Sequence, residues 1–350
     1  LFTVGPVEVR KEVLEAMRRP MIVHRGREYR CLHEGIMEKM HRMLETDMHI
    51  LLASASSTGF LEGSIRCGVE RKMVGISNGA FGERWQEIGE ANGKEVTRLQ
   101  VSWGRAVRGE MIEGHLTDKV EAVTLVTNES STGVINPVHE IVDAIRKDHD
   151  PLIFLDGVTS VGAIDLRLND LDIDALVFGT QKALALPPGL AMICVSDRLL
   201  SKAKGMDDRG LYFDLVRLKE FNDKGYAMTT PPISLLYALD FQLDRMLTEG
   251  MANRYARHRE MADRVRGWAE RCCGLYAEEG YRSNTITVVR NPGLEFADLQ
   301  AGLQSRGYEI SAGYGKLKGT TFRIGHMGDL TVGDVNELLS AIDEVMEVLR

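Results

Sequence analysis

The chain lacks several signatures that would settle its class at once, and each absence removes a possibility. No apolar run approaches the roughly 20 residues that a membrane-spanning helix needs. Basic residues do not dominate, since 43 Lys and Arg stand against 51 Asp and Glu for a formal charge of −8. A nucleic-acid partner, which requires a basic face to neutralise phosphates, is therefore not expected. Cysteine is scarce and irregularly placed. Cys31, Cys67, Cys194, Cys272 and Cys273 form no C-x-x-C pair, and adjacent Cys272 and Cys273 are poorly placed to bridge each other. The nine histidines show no H-E-x-x-H or comparable spacing, so no metal site is expected. Neither a G-x-G-x-x-G fingerprint nor a G-x-x-x-x-G-K-[ST] loop follows a predicted strand. The expectation is a reduced, cytoplasmic protein with no membrane partner.

What is present is an ordinary globular composition, 44% hydrophobic over 350 residues, enough for one large domain and a smaller one. Between about residues 48 and 195, short apolar runs alternate with segments of helical period. "HILLAS" (49–54), "KMVGIS" (72–77), "AVTLVT" (122–127), "PLIFLD" (151–156), "DALVFG" (174–179) and "LAMICVS" (190–196) read as buried strands. "TGFLEGSIRCGVE", "GERWQEIGEANG" and "NPVHEIVDAIRK" read as helices, the last with Asn136 as N-cap and Pro137 at its first position. This alternation predicts an α/β fold, a mostly parallel sheet between helices, with ligands at the carboxyl ends of strands. After about residue 232 the pattern changes to two long helices, the strands "TITVVR" and "TTFRIG", and a closing helix. The expected division is an N-terminal segment over 1–20, a large domain over 21–240, and a small α+β domain over 241–350.

Polar residues at predicted strand ends converge on one kind of ligand. "LLASASSTGFLEGS" is a strand, a turn of small residues and a helix start, so Ser56, Ser57 and Thr58 offer hydroxyl and N–H donors to a phosphate. "PLIFLD" ends in Asp156, and "DALVFG" leads into Lys182. A buried carboxylate needs a cation or a donor. A lysine in apolar surroundings has its pKa pushed down, which frees the amine as a nucleophile. Pyridoxal phosphate uses all three features, having a phosphate, an aldehyde that forms a Schiff base with lysine, and a pyridine nitrogen held protonated by an acid. Spacing alone leaves two plainer readings open, a structural Asp156–Lys182 salt bridge and a simple helix cap at Ser56–Thr58.

Nine segments, in order along nearly the whole chain, carry a family resemblance: "TVGPVEV", "HRGREY", "SASSTGFLEG", "SNGAFGERW", "NESSTGVINP", "LDGVTSVGAIDL", "GTQKALALPPG", "TTPPIS" and "FRIGHMG". With them the sequence resembles the class V aminotransferases among the fold type I pyridoxal-phosphate enzymes, in particular the alanine–glyoxylate and serine–pyruvate group. The resemblance implies a seven-stranded, mostly parallel sheet in the large domain and pyridoxal 5'-phosphate as cofactor. It assigns Lys182 the covalent link and the proton transfer, and Asp156 the pyridine nitrogen. Val158 would pack on one ring face, and Phe81 stands where the family places a stacking aromatic. Ser57, Thr58 and Gln181 would hold the phosphate, and Ser130 would approach the ring hydroxyl. Arg323 would grip the substrate carboxylate. Tyr226 and Thr229 would reach the neighbouring site of a homodimer. The family often has glycine where Ser57 stands and sometimes histidine where Thr58 stands.

The activity implied is ping-pong transfer of an amino group from alanine or serine to glyoxylate or pyruvate. The alternatives are the same chemistry on aspartate or an aminophosphonate, or a cysteine desulfurase-like lyase. The lyase would need a reactive thiol in the last third of the chain, where only Cys272 and Cys273 occur. From a different class, a non-catalytic α/β binding protein would leave Lys182 unmodified. Arg25 and Arg27 are read as surface charges in preference to contacts for a second anionic group.

Overall fold

Alternating apolar runs and helices assemble around one seven-stranded sheet in the computed structural model, which describes residues 1–112 and 114–349. The strand order is His49–Ala53, Ala191–Val195, Ala175–Gly179, Leu152–Asp156, Ala122–Val126, Lys72–Ser77 and Glu95–Gln100. Only Ala191–Val195 runs against its neighbours, and all the other strands point the same way. The six strands expected from apolar runs are present. The seventh, Glu95–Gln100, escapes that reading because it lies at an edge and buries only Leu99.

One further difference lies at residue 136. The helix that was expected to start with Asn136 and Pro137 runs from Val138 to Arg146, with Pro137 at the cap position. Asn136 faces inward instead. Its amide donates to the Val126 carbonyl at 2.7 Å and accepts from the Val107 N–H at 3.0 Å. An asparagine that satisfies buried backbone groups is worth more there than at a cap.

The large core lies around the sheet and includes Leu236, Leu239 and Leu243 from the helix Ile233–Glu249. The small core gathers Trp268 of the helix Met251–Cys272, Phe322 and Ile324 of a three-stranded antiparallel sheet, and Leu338 of the closing helix. The start of the chain enters both: Phe2 belongs to the small core, Val4 and Val7 to the large one. Gly325 permits this passage, since a Cβ there would meet the Thr3 carbonyl oxygen at 2.1 Å.

Arg254 crosses from one body to the other and is 1% exposed. Its Nε donates to the Gly162 carbonyl at 3.0 Å and its Nη2 to the Ala183 carbonyl at 2.7 Å. Its Nη1 meets Glu249 at 2.8 Å and Asp329 at 3.1 Å. The turn after Lys182 is thus tied to the loop after Arg323. Removing one partner of a buried ion pair leaves uncompensated charge, so Arg254→Met is expected to cost about 3–5 kcal/mol. Urea denaturation followed by circular dichroism measures this, and an unchanged midpoint would show the tie to be dispensable.

Candidate active site

The carboxyl ends of neighbouring strands and the starts of two helices surround a cavity of about 230 Å³. Ser56, Ser57, Thr58, Phe81, Ser130, Asp156, Val158, Gln181 and Lys182 all line it, so the structure brings these predicted residues together. Another cavity of about 390 Å³, beside Glu45 and Tyr255, contains none of them.

Asp156 is the last residue of the central strand Leu152–Asp156 and is 6% exposed. Its Oδ1 accepts from the Val158 N–H at 2.9 Å. Burial pushes its carboxyl pKa up to about 6, against the opposing pull of that N–H, Lys182 and Arg84. Lys182 follows the strand Ala175–Gly179 and is half-buried. Burial first, and the nearby Arg323 cation second, push its amine down to about 8. The amine does not pair with Asp156. It donates to the backbone carbonyl of Val4, and Gly5 leaves the room for it, since a Cβ there would lie 2.6 Å from Nζ.

Ser57 opens the helix Ser57–Gly68, and Ser56 at its cap makes no side-chain cap bond. The Ser57 hydroxyl is buried and unpartnered, and so is the side-chain amide oxygen of Asn128. Helix dipole, the N–H groups of a helix start and an unused hydroxyl suit this end of the cavity to an anion. On the opposite wall, the helix Ala80–Ala91 presents Phe81. Its start is held by Glu129, whose carboxylate accepts from the N–H groups of Phe81 and Gly82, each at 3.0 Å.

Arg323, on the small-domain strand Thr321–Gly325, is 9% exposed and has its guanidinium pushed below its usual range by burial. Its Nε donates to the Ala312 carbonyl at 2.9 Å and its Nη1 to the Ser130 carbonyl at 3.4 Å. Tyr226 and Thr229 stand apart from this cavity. The Tyr226 ring stacks near Tyr29, with centroids 6.5 Å apart. Arg25 donates to the Ala227 carbonyl at 2.8 Å and the Met228 carbonyl at 3.0 Å, which engages it in the segment between those two residues. Arg27 is exposed.

Sequence reasoning missed five lining residues, Leu61, Arg84, Val126, Asn128 and Thr159. All but Val126 lie inside quoted motifs in which only some positions were assigned. Arg84 had a usable signal, for it follows Phe81 at a helical spacing of three and so shares its face.

A family model described as Aminotransferase class-V matches residues 72–319. An uncharacterized aminotransferase of Methanocaldococcus jannaschii is 37% identical over all of this chain and 93% of its own. The serine–glyoxylate aminotransferase of Methylorubrum extorquens is 32% identical over 94% of this chain and 86% of its own. Among solved structures, an alanine–glyoxylate aminotransferase from Nostoc sp. superposes with a TM-score of 0.92 at 25% identity, covering 99% of this chain and 94% of that one. The cavity's chemistry suits pyridoxal phosphate. It offers an amine that pairs with no acid, a buried carboxyl that accepts one backbone N–H, and an unpartnered hydroxyl at a helix start.

The raised carboxyl pKa gives a test without cofactor. The stability that Asp156 contributes is present below pH of about 4 and is lost as the pH rises through about 6. An amide keeps the Val158 bond and carries no charge. Thermal midpoints of the apoprotein should therefore shift in favour of Asp156→Asn over the parent between mildly acidic and neutral pH. A gap that stays constant with pH would contradict the burial argument.

Proposed function

This chain belongs to the class V aminotransferase family, a transaminase whose cofactor is pyridoxal phosphate, and on that premise we propose that it moves an amino group from alanine or serine to glyoxylate or pyruvate in a ping-pong sequence. The observation that carries the reading is the juxtaposition, in one cavity, of buried Asp156 and an amine at Lys182 that pairs with no acid.

The cofactor supplies a conjugated ring that takes up the electron pair left when the substrate's α-proton departs. Asp156 would hold the cofactor's ring nitrogen in its protonated form, and Lys182 Nζ would serve as the base that takes and returns the substrate proton. A pKa near 8 leaves a useful neutral fraction of that amine at mildly alkaline pH. Phe81 and Val158 would pack against the cofactor's ring, Ser130 would offer a hydroxyl to its ring oxygen, and Ser56, Ser57, Thr58 and Gln181 would hold its phosphate. Arg323 binds the α-carboxylate of donor and acceptor in turn through its fork of donors. Because one arginine serves both, the first product leaves before the second substrate enters.

Tyr226 and Thr229, lying away from this chain's own cavity, are suited to complete the neighbouring site in a homodimer. The lyase alternative is disfavoured. Cys272 and Cys273 pack against the small core, and no cysteine lines the cavity. No described helix is long and apolar enough to cross a membrane.

Lys182→Ala is expected to lower turnover with alanine and glyoxylate by roughly 10³-fold or more. Mass spectrometry after borohydride reduction should find the cofactor fixed to the parent chain and absent from the variant. Normal turnover by the variant would refute the assignment.

A further inference from the structure

Arg84 has no role in the reading above, yet it lines the same cavity. It sits one helical turn after Phe81, with its guanidinium carbon 5.0 Å from that ring's centroid. Its Nη2 donates to the Tyr314 hydroxyl at 3.5 Å. Tyr314 comes from the small domain and packs on Phe81 with centroids 5.5 Å apart. The same tyrosine ring meets Arg323, whose guanidinium carbon lies 5.3 Å from its centroid. One phenol therefore stands between two guanidinium groups. Neither forms an ion pair with a described residue, although arginines elsewhere in this chain commonly do.

We propose that Arg84 and Tyr314 form a distal anion subsite beside Arg323. Through it the enzyme also takes amino donors and oxo acceptors with a second, side-chain carboxylate. The inference rests on Arg323 holding the α-carboxylate, as argued above. Arg84 commits one of its five N–H donors to Tyr314 and keeps the others for a ligand. The Tyr314 hydroxyl accepts from Arg84, so its own proton remains to donate. That set, one guanidinium fork and one hydroxyl, suits a planar carboxylate better than a phosphate dianion, which asks for more donors and more positive charge. A single phenol lies between the two cations, so a four- or five-carbon dicarboxylate is the ligand proposed to bridge them, whereas alanine and glyoxylate engage Arg323 alone.

The test uses the holoenzyme and two probes that carry no amino group, succinate and propionate, with binding measured by calorimetry. The parent is expected to bind succinate more tightly than propionate. Arg84→Gln should weaken succinate relative to propionate by roughly tenfold or more, with Arg84→Lys recovering part of the loss. Tyr314→Phe keeps the ring between the arginines and removes the hydroxyl, so it should weaken succinate by a smaller factor. In turnover, the ratio of kcat/KM for aspartate to that for alanine should fall in Arg84→Gln, mainly through KM for aspartate. Equal weakening of both probes would make Arg84 a support for Phe81 only and overturn the subsite, as would a parent that does not prefer succinate. If the parent transfers no amino group from any donor while succinate binding still depends on Arg84, the proposed function fails and the subsite stands.

Discussion

The site depends on keeping a lysine amine out of water without giving it an acid to pair with. An amine in that position is destabilising for the fold, and the protein tolerates it because the surrounding scaffold is over-determined. Buried strands on either side fix the turn that carries Lys182, and Arg254 clamps the carbonyl of the next residue. Asp156 sits under a similar constraint, a carboxyl at the end of a fully buried strand with the Val158 N–H as its hydrogen-bond donor. Burial is the first cause of both shifts, upward to about 6 for the Asp156 carboxyl and downward to about 8 for the Lys182 amine.

The two bodies of the molecule are joined by polar bonds as much as by apolar packing. Arg254 and Asp329 link the lysine turn to the loop behind Arg323, and Tyr314 brings the small domain onto Phe81. The relative placement of the Lys182 amine and the Arg323 guanidinium is therefore tied to buried ionic contacts. Such contacts are geometrically strict, which matters where a small misplacement costs rate.

Much of this was legible in the sequence because the chemistry sits where the pattern changes. Asp156 and Lys182 each follow an apolar strand, and Ser56–Thr58 sit where a strand gives way to a helix, so period and polarity together mark them. The rest was hidden for physical reasons. Glu95–Gln100 is an edge strand with mostly polar, solvent-facing side chains, and it carries no apolar run to betray it. Asn136 looked like a helix cap because caps and buried amides use the same side chain. Its inward partners, Val107 and Val126, come from separate segments. Tyr314 reaches the cavity wall from a short loop in the small domain, a placement created by tertiary packing and not written in any local spacing.

The passage of the first residues over the lysine has a consequence for how the protein folds. Val4 accepts the Lys182 hydrogen bond, and two residues earlier the Phe2 carbonyl accepts from the N–H of Gly325, far along the sequence. Contacts so far apart along the chain form late and slowly. The cover over the Lys182 amine therefore depends on the meeting of two segments that lie far apart in the sequence.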